Sequence, residues 1–285
     1  MIERRQRLAR SLAGLTPQQP ATVFWRAIEL DRLLDHDLPD GLGLDVGCGD
    51  GSLIRVLREH GVGWRLVGID PDPAETELAR RSGVYERVHT ASATEIPEAD
   101  AVFDFAFSNS VLEHVSELPQ SLRQIARVLK PGGRLIATVP TASLNECLRG
   151  PGLLAPLLGR TRAEYLERID QRTAHVNLWE PPQWEEELLE AGFEDVGFTP
   201  YLSEAETRRW ERLSNWTGGI AFAISGEKPI EVSRRVGVST AGRFAPLLRA
   251  PAKAVTAAAL RRSNGGAPNA CVLIDAKRAL MEGPA

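Results

Sequence analysis

The sequence contains few cysteines, no long apolar run and no excess of positive charge. Its three cysteines, Cys48, Cys147 and Cys271, are odd in number and widely scattered. This is typical of neither a disulfide framework nor a zinc knuckle and favours a reducing compartment. No apolar run approaches the roughly 18 residues that a membrane span requires. The formal net charge is -4, so no overall basic field attracts the chain to nucleic acid.

The N-terminal segment also lacks the features of a secretory signal. Residues 1–10 are rich in arginine, but Ser11, Gly14 and Pro17 follow where a signal peptide has an apolar stretch. We therefore expect a soluble, cytoplasmic protein, with contact to the inner face of a membrane as an open alternative. At 285 residues and 43% apolar content, the chain is long enough for one large α/β domain or two small ones.

Between Gly41 and Val139, short β-type runs alternate with helical patterns. This alternation is typical of βαβ units around a parallel sheet. The helical patterns end near Gly61 and at Pro131-Gly132-Gly133, which are residues that stop helices. Five strands are predicted: Leu42–Val46, Arg65–Asp70, Arg87–Thr90, Val102–Ser108 and Arg134–Val139.

Beyond Pro140 the pattern of the chain changes. A short charged helix is predicted around Ala163–Arg168, then a helix at Gln183–Glu190 with a strand at Phe193–Tyr201, and a last strand at Ala270–Lys277. The predicted segments are an N-terminal helical segment (1–40), an α/β core (41–140), an insertion or lid (141–180), a core helix and strand (181–202), a helical basic insertion (203–269) and a final strand with the tail (270–285).

The stretch 228–262 differs in composition from the rest of the chain, with eight cationic residues and one acidic residue. Its apolar residues recur at helical spacing, a basic amphipathic pattern. They are Phe244, Leu247, Leu248, Val255 and Ala259. Two interpretations stay open: a cap whose apolar side packs on the sheet or on a partner subunit, and a surface that contacts anionic lipid or a lipid-linked acceptor.

The most informative stretch is the glycine-rich turn Asp45-Val46-Gly47-Cys48-Gly49-Asp50-Gly51, between an apolar strand and a helix. Its glycines let the backbone turn tightly and approach a ligand at a distance that a Cβ would prevent. Asp70 ends the second strand, 19 residues after Gly51. In a doubly wound sheet this carboxylate lies beside the turn, where it can accept both hydroxyls of a ribose. The two features predict a ribose-containing cofactor.

The spacing of the glycines argues against a dinucleotide, because Ser52 stands where Gly-x-Gly-x-x-Gly/Ala has its last small residue. Here the sequence resembles the class I S-adenosylmethionine-dependent methyltransferases, in particular a bacterial group whose first motif reads LDVGCGDG, as Leu44 to Gly51 does. Further matching stretches are Asp70, Ala91–Pro97, Phe103–His114 and Leu129–Gly133. The resemblance covers Gly41 to Pro140 and, more loosely, His175 to Tyr201.

The resemblance implies S-adenosylmethionine as cofactor. It also implies a doubly wound, Rossmann-like α/β fold with a seven-stranded, mostly parallel sheet, an antiparallel last strand and helical insertions. The implied cofactor contacts are Gly47, Cys48 and Gly49 under the methionine part, Asp45 near its amino group, Asp70 at the ribose, Pro71 flanking the adenine, Ser92 and Ala93 at the adenine amino group, Ser108 and Asn109 on the methionine side, and Arg26 at the methionine carboxylate. A solvated helix residue is the alternative for Arg26.

Methyl transfer is an in-line displacement that needs alignment and exclusion of water, but neither a metal nor a covalent enzyme nucleophile. A hydroxyl acceptor would need a general base, and His114 and His175 are the candidates. The alternatives are an ordering role for His114 in the cofactor pocket and a packing role for His175. The sequence favours O-methylation of a sugar, glycan or secondary metabolite. A nicotinamide-dependent oxidoreductase and an inactive cofactor-binding scaffold are the rival functions, and the oligomeric state stays open.

Overall fold

The computed structural model describes residues 2–15, 19–150, 161–215, 256–260 and 267–280. The chain divides into two compact units, each made of several chain segments. We call the first the helical unit; it comprises Met1–Asp35, Ser143–His175 and Tyr201–Ala270. We call the second the sheet unit; it comprises His36–Ala142, Val176–Pro200 and Cys271–Ala285.

The sheet has seven strands in the order β3-β2-β1-β4-β5-β7-β6. Their bounds are β1 (Leu42–Val46), β2 (Arg65–Asp70), β3 (Arg87–Thr90), β4 (Phe103–Asn109), β5 (Leu129–Pro140), β6 (Phe193–Ser203) and β7 (Asn269–Arg278). Neighbouring strands among the first five, β1 to β5, pair in parallel, whereas β7 runs antiparallel to β5. The prediction of a mostly parallel, doubly wound sheet with an antiparallel last strand is confirmed.

Nine α-helices and a helical stretch at 256–260 accompany the strands in the described part of the chain. The nine helices are α1 (Ile2–Leu15), α2 (Pro20–Leu33), α3 (Ser52–Glu59), α4 (Pro73–Ser82), α5 (Leu118–Val128), α6 (Ser143–Cys147), α7 (Arg162–Thr173), α8 (Pro181–Glu190) and α9 (Glu204–Ser214). A 3₁₀ turn covers Leu112–His114. Helix α9 begins with a capping box between Ser203 and Glu206, which satisfies the backbone N–H groups of these two residues.

The central strands are buried because apolar side chains occupy both of their faces, as is usual in parallel sheets. Leu44 in β1 and Phe105 and Phe107 in β4 are fully buried. Gly43 lets the Phe105 ring lie directly over the β1 backbone, since a Cβ there would approach the ring to 2.3 Å. The strand order reverses between β1 and β4, which opens a crevice at their carboxyl ends.

The boundary between α5 and β5 differs from the prediction. Helix α5 ends at Val128 and β5 begins at Leu129, so Pro131-Gly132-Gly133 lies inside the strand and does not end the helix. The pairing with β4 shifts register between Phe103 and Phe105. This irregularity accommodates the left-handed Gly132, whose φ is 76°, as a β-bulge does.

The helical unit is held together by buried ion pairs. The Arg5 guanidinium donates to Asp31 at 2.6 Å and to Glu206 at 2.7 Å, which links α1 to α2 and α9. Trp25 and Trp210 pack edge to face with their ring centroids 5.1 Å apart. In the part of the chain that the structure describes, no helix combines the length and apolar character needed to cross a membrane. The predicted basic surface at 228–262 lies outside the described residues, apart from 256–260.

Candidate functional site

The glycine-rich turn folds tightly against the end of β2. The backbone N–H groups of Gly47 and Cys48 both donate to the Ile69 carbonyl, at 2.8 and 2.9 Å. Gly47, Gly49 and Gly51 all have left-handed φ angles, of 78°, 51° and 77°, which glycine adopts without strain. A Cβ on Gly49 would meet nothing within 4 Å. The turn therefore presents bare backbone to open space, as a ligand cradle requires.

Asp70 lies beside this turn, where the sequence places it. Its Oδ2 accepts the Gly49 N–H at 3.0 Å and its Oδ1 accepts the Asp72 N–H at 2.9 Å. A carboxylate offers about four lone-pair sites, so each oxygen retains one for a further donor. Asp70 can thus fix the turn and still accept two hydroxyl groups of a ribose.

Asp45 is buried at the end of β1, with 4% of its surface exposed. Burial raises its pKa to about 7; the hydrogen bond from Tyr85 lowers it in part, and the charge of Asp70 raises it further. The Tyr85 hydroxyl donates to Asp45 Oδ2 at 2.6 Å. Among the described residues, neither Asp45 nor Asp70 forms an ion pair. A cation bound beside them would supply the missing counter-charge.

Tyr85 also supports the glycine-rich turn from below. Its hydroxyl lies 3.4 Å from the Cys48 carbonyl, and its ring is within 3.0 Å of the position that a Cβ on Gly51 would take. The Cys48 side chain packs with Tyr85, Ala79 and Val88 in a small apolar cluster, and burial raises the pKa of its thiol. The thiol is therefore a packing group and not a reactive one.

The end of β4 is tied to β5 through Thr138. The Asn109 side-chain amide donates to the Thr138 hydroxyl at 2.6 Å, and the Ser110 N–H donates to the Thr138 carbonyl at 2.9 Å. The Ser108 hydroxyl donates to the Val46 carbonyl at 3.3 Å. Ser110 has a φ of 51°, a strained value for a residue other than glycine. These bonds fix the backbone of Ser108 and Asn109 at the crevice between β1 and β4.

The residues expected around the adenine lie on the loops after β2 and β3. Pro71 and Ser92 are exposed and Ala93 is half-buried. The Ser92 hydroxyl accepts from the Thr94 N–H at 3.2 Å, so it organises its own loop.

Arg26, expected at the methionine carboxylate, lies in α2 of the helical unit, where its guanidinium pairs with Glu29 at 2.5 Å. Contacts of Arg26, Pro71, Ser92 and Ala93 with a cofactor stay predictions.

His114 stands on the 3₁₀ turn after β4, in the same unit as the glycine-rich turn. Val111, directly before that turn, packs on Gly47 so closely that a Cβ on Gly47 would lie 2.4 Å from it. His114 Nε2 is 3.7 Å from the Glu113 carboxylate, whose side chain is 2% exposed, whereas the His114 side chain is 39% exposed. The arrangement places an accessible imidazole next to a buried acid at the edge of the crevice.

The chain after His175 clamps this 3₁₀ turn. The N–H groups of Val176 and Asn177 donate to the Glu113 carbonyl at 2.8 and 2.9 Å. The Asn177 side-chain amide donates to the Leu112 carbonyl at 3.0 Å and the Val115 carbonyl at 2.7 Å. His175 itself is half-buried, and its role as a base or acceptor ligand stays a prediction.

Sequence reasoning missed Tyr85, Thr138 and Asn177. Tyr85 is one of three tyrosines in the chain. It lies in a turn where polar residues are usual, and this unusual position is the one sequence feature that could have indicated a role in the site. Thr138 lies in an apolar strand and Asn177 in a loop. Nothing nearby in the sequence indicates the backbone and side chains that they bind.

The geometry fits S-adenosylmethionine. Gly49 leaves the space that a ligand next to bare backbone needs, and Asp70 keeps acceptor sites for a ribose. The buried Asp45 matches the positive charge of the methionine amino group and sulfonium. The residues that would hold the cofactor are therefore Asp45, Gly49 and Asp70, with the fixed backbone of Ser108 and Asn109 opposite them.

The chain is similar in sequence to named methyltransferases. The chain is 29% identical over 192 residues to a ubiquinone biosynthesis O-methyltransferase of Chelativorans sp. (strain BNC1), a match that spans 65% of this chain and 71% of the relative. It is 34% identical over 104 residues to a malonyl-[acyl-carrier protein] O-methyltransferase of Serratia marcescens, across 36% of this chain and 40% of the relative. The second match thus covers less than half of that relative.

A solved structure from Thermotoga maritima shares the fold. It is described as a SAM-dependent methyltransferase and "possible histamine N-methyltransferase", and it is 19% identical, with a TM-score of 0.53 over 88% of each chain. The family model for the methyltransferase domain matches residues 24–197, more than half of the sequence. The chain therefore belongs to the methyltransferase domain family and is a class I S-adenosylmethionine-dependent methyltransferase.

Proposed function

We propose that the enzyme transfers the methyl group to a hydroxyl of a small acceptor such as a sugar, a glycan or a secondary metabolite, with His114 as general base. The observation that carries this proposal is the accessible imidazole of His114 beside the buried Glu113 carboxylate, next to the glycine-rich turn. A neutral hydroxyl is a weak nucleophile, so a base at this position would assist it by removing the proton as the methyl group is transferred.

The roles of the residues follow from their placement. The cofactor, when bound, supplies a methyl group on a positively charged sulfur. His114 accepts the hydroxyl proton of the acceptor, and the Glu113 carboxylate at 3.7 Å stabilises the imidazolium that results. Val176 and Asn177 hold the 3₁₀ turn through their bonds to its carbonyls, which limits the motion of the imidazole.

The named relatives act on different kinds of acceptor. Both sequence relatives reported above are O-methyltransferases by name, whereas another sequence relative is named a sarcosine/dimethylglycine N-methyltransferase and the structural neighbour also carries an N-methyltransferase title. That neighbour is under one quarter identical and speaks for the fold alone. The site chemistry at His114 therefore carries the proposal, and the relatives do not decide the acceptor atom.

The test uses cofactor labelled with ¹³C in its methyl group. The enzyme is incubated with a bacterial small-molecule extract and with a panel of sugars and phenols, and the products are examined by two-dimensional ¹H–¹³C NMR. Methyl groups on oxygen, nitrogen and carbon resonate in separate regions, so the type of bond is identified before the acceptor is known. We expect an O-methyl signal.

The variant His114→Gln tests the base. We expect a loss of about 10²–10⁴-fold in kcat, with affinity for adenosylhomocysteine unchanged. His36→Gln is the matched control, since His36 also pairs with a carboxylate, Asp275, at 2.9 Å; it should keep full activity. An N-methyl or C-methyl signal, a fully active His114→Gln variant, or cofactor binding without any transfer would overturn the proposal.

A further inference from the structure

The connection between β3 and β4, residues 91–102, contains no helix or strand, and we call it the β3–β4 loop. An arginine of α5 binds its middle part. The Arg127 guanidinium donates to the Ile96 carbonyl at 2.9 Å and to the Glu98 carbonyl at 2.8 Å. It also donates to the Asp100 carboxylate at 2.7 Å, but an ion pair with so exposed an acid contributes little. The two carbonyl contacts therefore do most to fix the loop.

Further contacts hold the same loop from both sides. Gln120, also on α5, donates to the Thr94 carbonyl at 3.1 Å. Positions 120 and 127 are seven residues apart, so they lie on the same face of the helix. On the other side, the Glu98 carboxylate accepts from Arg87 of β3 at 2.7 Å, and the Ile96 side chain is buried in the core of the sheet. An irregular segment is thus held in one shape by its neighbours.

The β3–β4 loop begins beside Asp70. Strand β3 pairs with β2 so that Thr90 lies opposite Asp70, and the Ala91 N–H donates to the Asp70 carbonyl at 3.0 Å. The strand order β3-β2-β1-β4 places this loop on one side of Asp70 and the glycine-rich turn on the other. With the ribose at Asp70 and the methionine part at the β1–β4 crevice, the adenine is directed toward the β3–β4 loop.

We propose that Arg127 is a positioning residue for the cofactor, which holds the β3–β4 loop in the shape that selects adenine over other bases. The loop carries Ser92 and Ala93, the residues expected at the adenine amino group. A loop held in one shape rejects a base with a different pattern of donors and acceptors, because polar groups then stay unpaired. A loop that can move adapts to either base. The inference concerns the cofactor and does not depend on the acceptor or on His114.

Calorimetry on the full chain tests this role by comparing adenosylhomocysteine with S-inosylhomocysteine, whose base carries an oxygen in place of the adenine amino group. Arg127→Met keeps most of the side-chain length and removes the donors. We expect the affinity of this variant for adenosylhomocysteine to fall by at least about tenfold, since hydrogen bonds from a charged donor are lost. The affinity for S-inosylhomocysteine should fall much less, so the preference for adenine is reduced. A purely structural role would not change this preference.

Arg134→Met is the matched control. Arg134 is also a half-buried arginine of the sheet unit, and its guanidinium donates to Asp275 at 2.8 Å. It lies opposite Phe105 in the strand register, near the start of β4 and away from the carboxyl ends of the strands. Arg134→Met should therefore lose stability in urea, as Arg127→Met does, and keep both affinities.

Gln120→Leu is a second variant, which removes a single contact of an exposed side chain and so leaves folding intact. It should reduce the preference for adenine in the same direction as Arg127→Met, but by less. An unchanged ratio of the two affinities in Arg127→Met, or an equal reduction in Arg134→Met, would overturn the proposal. If Arg127→Met does not fold, an unchanged ratio in Gln120→Leu overturns it instead.

Discussion

Buried carboxylates occur in both units, but their partners differ. In the helical unit, Asp31 and Glu206 both bind the Arg5 guanidinium. In the sheet unit, Asp45 is equally buried but accepts a hydrogen bond from the neutral Tyr85 hydroxyl. The described residues offer it no cationic partner. Asp31 and Glu206, paired with a cation, stabilise the architecture, whereas Asp45, beside the glycine-rich turn and without a cation among the described residues, is placed to receive a charged ligand.

The largest effect on stability is expected from removing Arg5, the cation that pairs with the buried acids of the helical unit. In Arg5→Ala, the buried carboxylates of Asp31 and Glu206 both lose the Arg5 guanidinium, while Arg4 stays paired with Asp31 at 2.5 Å. The free energy of unfolding should fall by about 3 kcal/mol. Urea denaturation measures this loss. Under native conditions, calorimetry should show unchanged affinity for adenosylhomocysteine.

The Arg5 experiment has a clear opposite outcome. If Arg5→Ala keeps its stability but weakens cofactor binding, the acids of the helical unit are not structural and the contrast between the units fails. Arg123→Ala, the exposed arginine of α5, is the control and should change neither quantity.

The next largest effect is expected at Asp70. Asp70→Asn should weaken adenosylhomocysteine binding by about 100-fold, because hydrogen bonds to an ionised carboxylate contribute about 1.5–3 kcal/mol each. The amide also replaces one acceptor oxygen that now binds the Gly49 N–H or a ribose hydroxyl. Asp100→Asn, at an exposed acid paired with Arg127, controls for the general loss of one negative charge. Equal binding by both variants would show that Asp70 does not hold the ribose.

The sequence predicted those parts of the site that depend on neighbouring strands. Parallel β1 and β2 end at the same edge, so the glycine-rich turn and Asp70 had to meet there. Tyr85 was not predictable in this way, because it reaches Asp45 across 40 residues of sequence through a path that only the packing of α4 and β3 determines. Asn177 likewise binds Leu112 across 65 residues. The start of β5 was predicted too late in the sequence because a Pro-Gly-Gly sequence such as Pro131-Gly132-Gly133 usually ends a helix. The bulge that accommodates these residues within β5 depends on the partner strand β4.

Asp45 makes cofactor affinity depend on pH. Its pKa of about 7 means that the carboxyl is protonated below neutrality, whereas a bound ammonium group favours the ionised form. The affinity for adenosylhomocysteine should therefore fall as pH decreases through 7, by about tenfold between pH 8 and pH 6. Calorimetry in buffers of different ionisation enthalpy should detect release of about one proton on binding at pH 6.

The stability of the free protein should respond to Asp45 in the opposite sense. The folded state retains a proton on Asp45 up to a pH of about 7, whereas an unfolded aspartate loses it near pH 4. The contribution of Asp45 to stability is therefore fully present below pH 4 and is lost as pH rises toward 7. Asp45→Asn should remove both this trend and the pH dependence of cofactor binding.

The smallest effect is expected from Tyr85→Phe, which removes only the hydroxyl that binds Asp45. The hydroxyl lowers the pKa of Asp45, so its removal should move the midpoint of the binding profile above 7 and weaken binding at neutral pH by about fivefold, the value of one hydrogen bond of about 1 kcal/mol. Tyr201→Phe is the matched control, because the Tyr201 hydroxyl donates to the buried Glu29 at 2.8 Å in the helical unit. The Tyr201→Phe variant should lose a similar amount of stability and keep the pH dependence of cofactor binding unchanged. If both variants shift the profile, or neither does, the tyrosine–carboxylate pair of the sheet unit has no special relation to the cofactor.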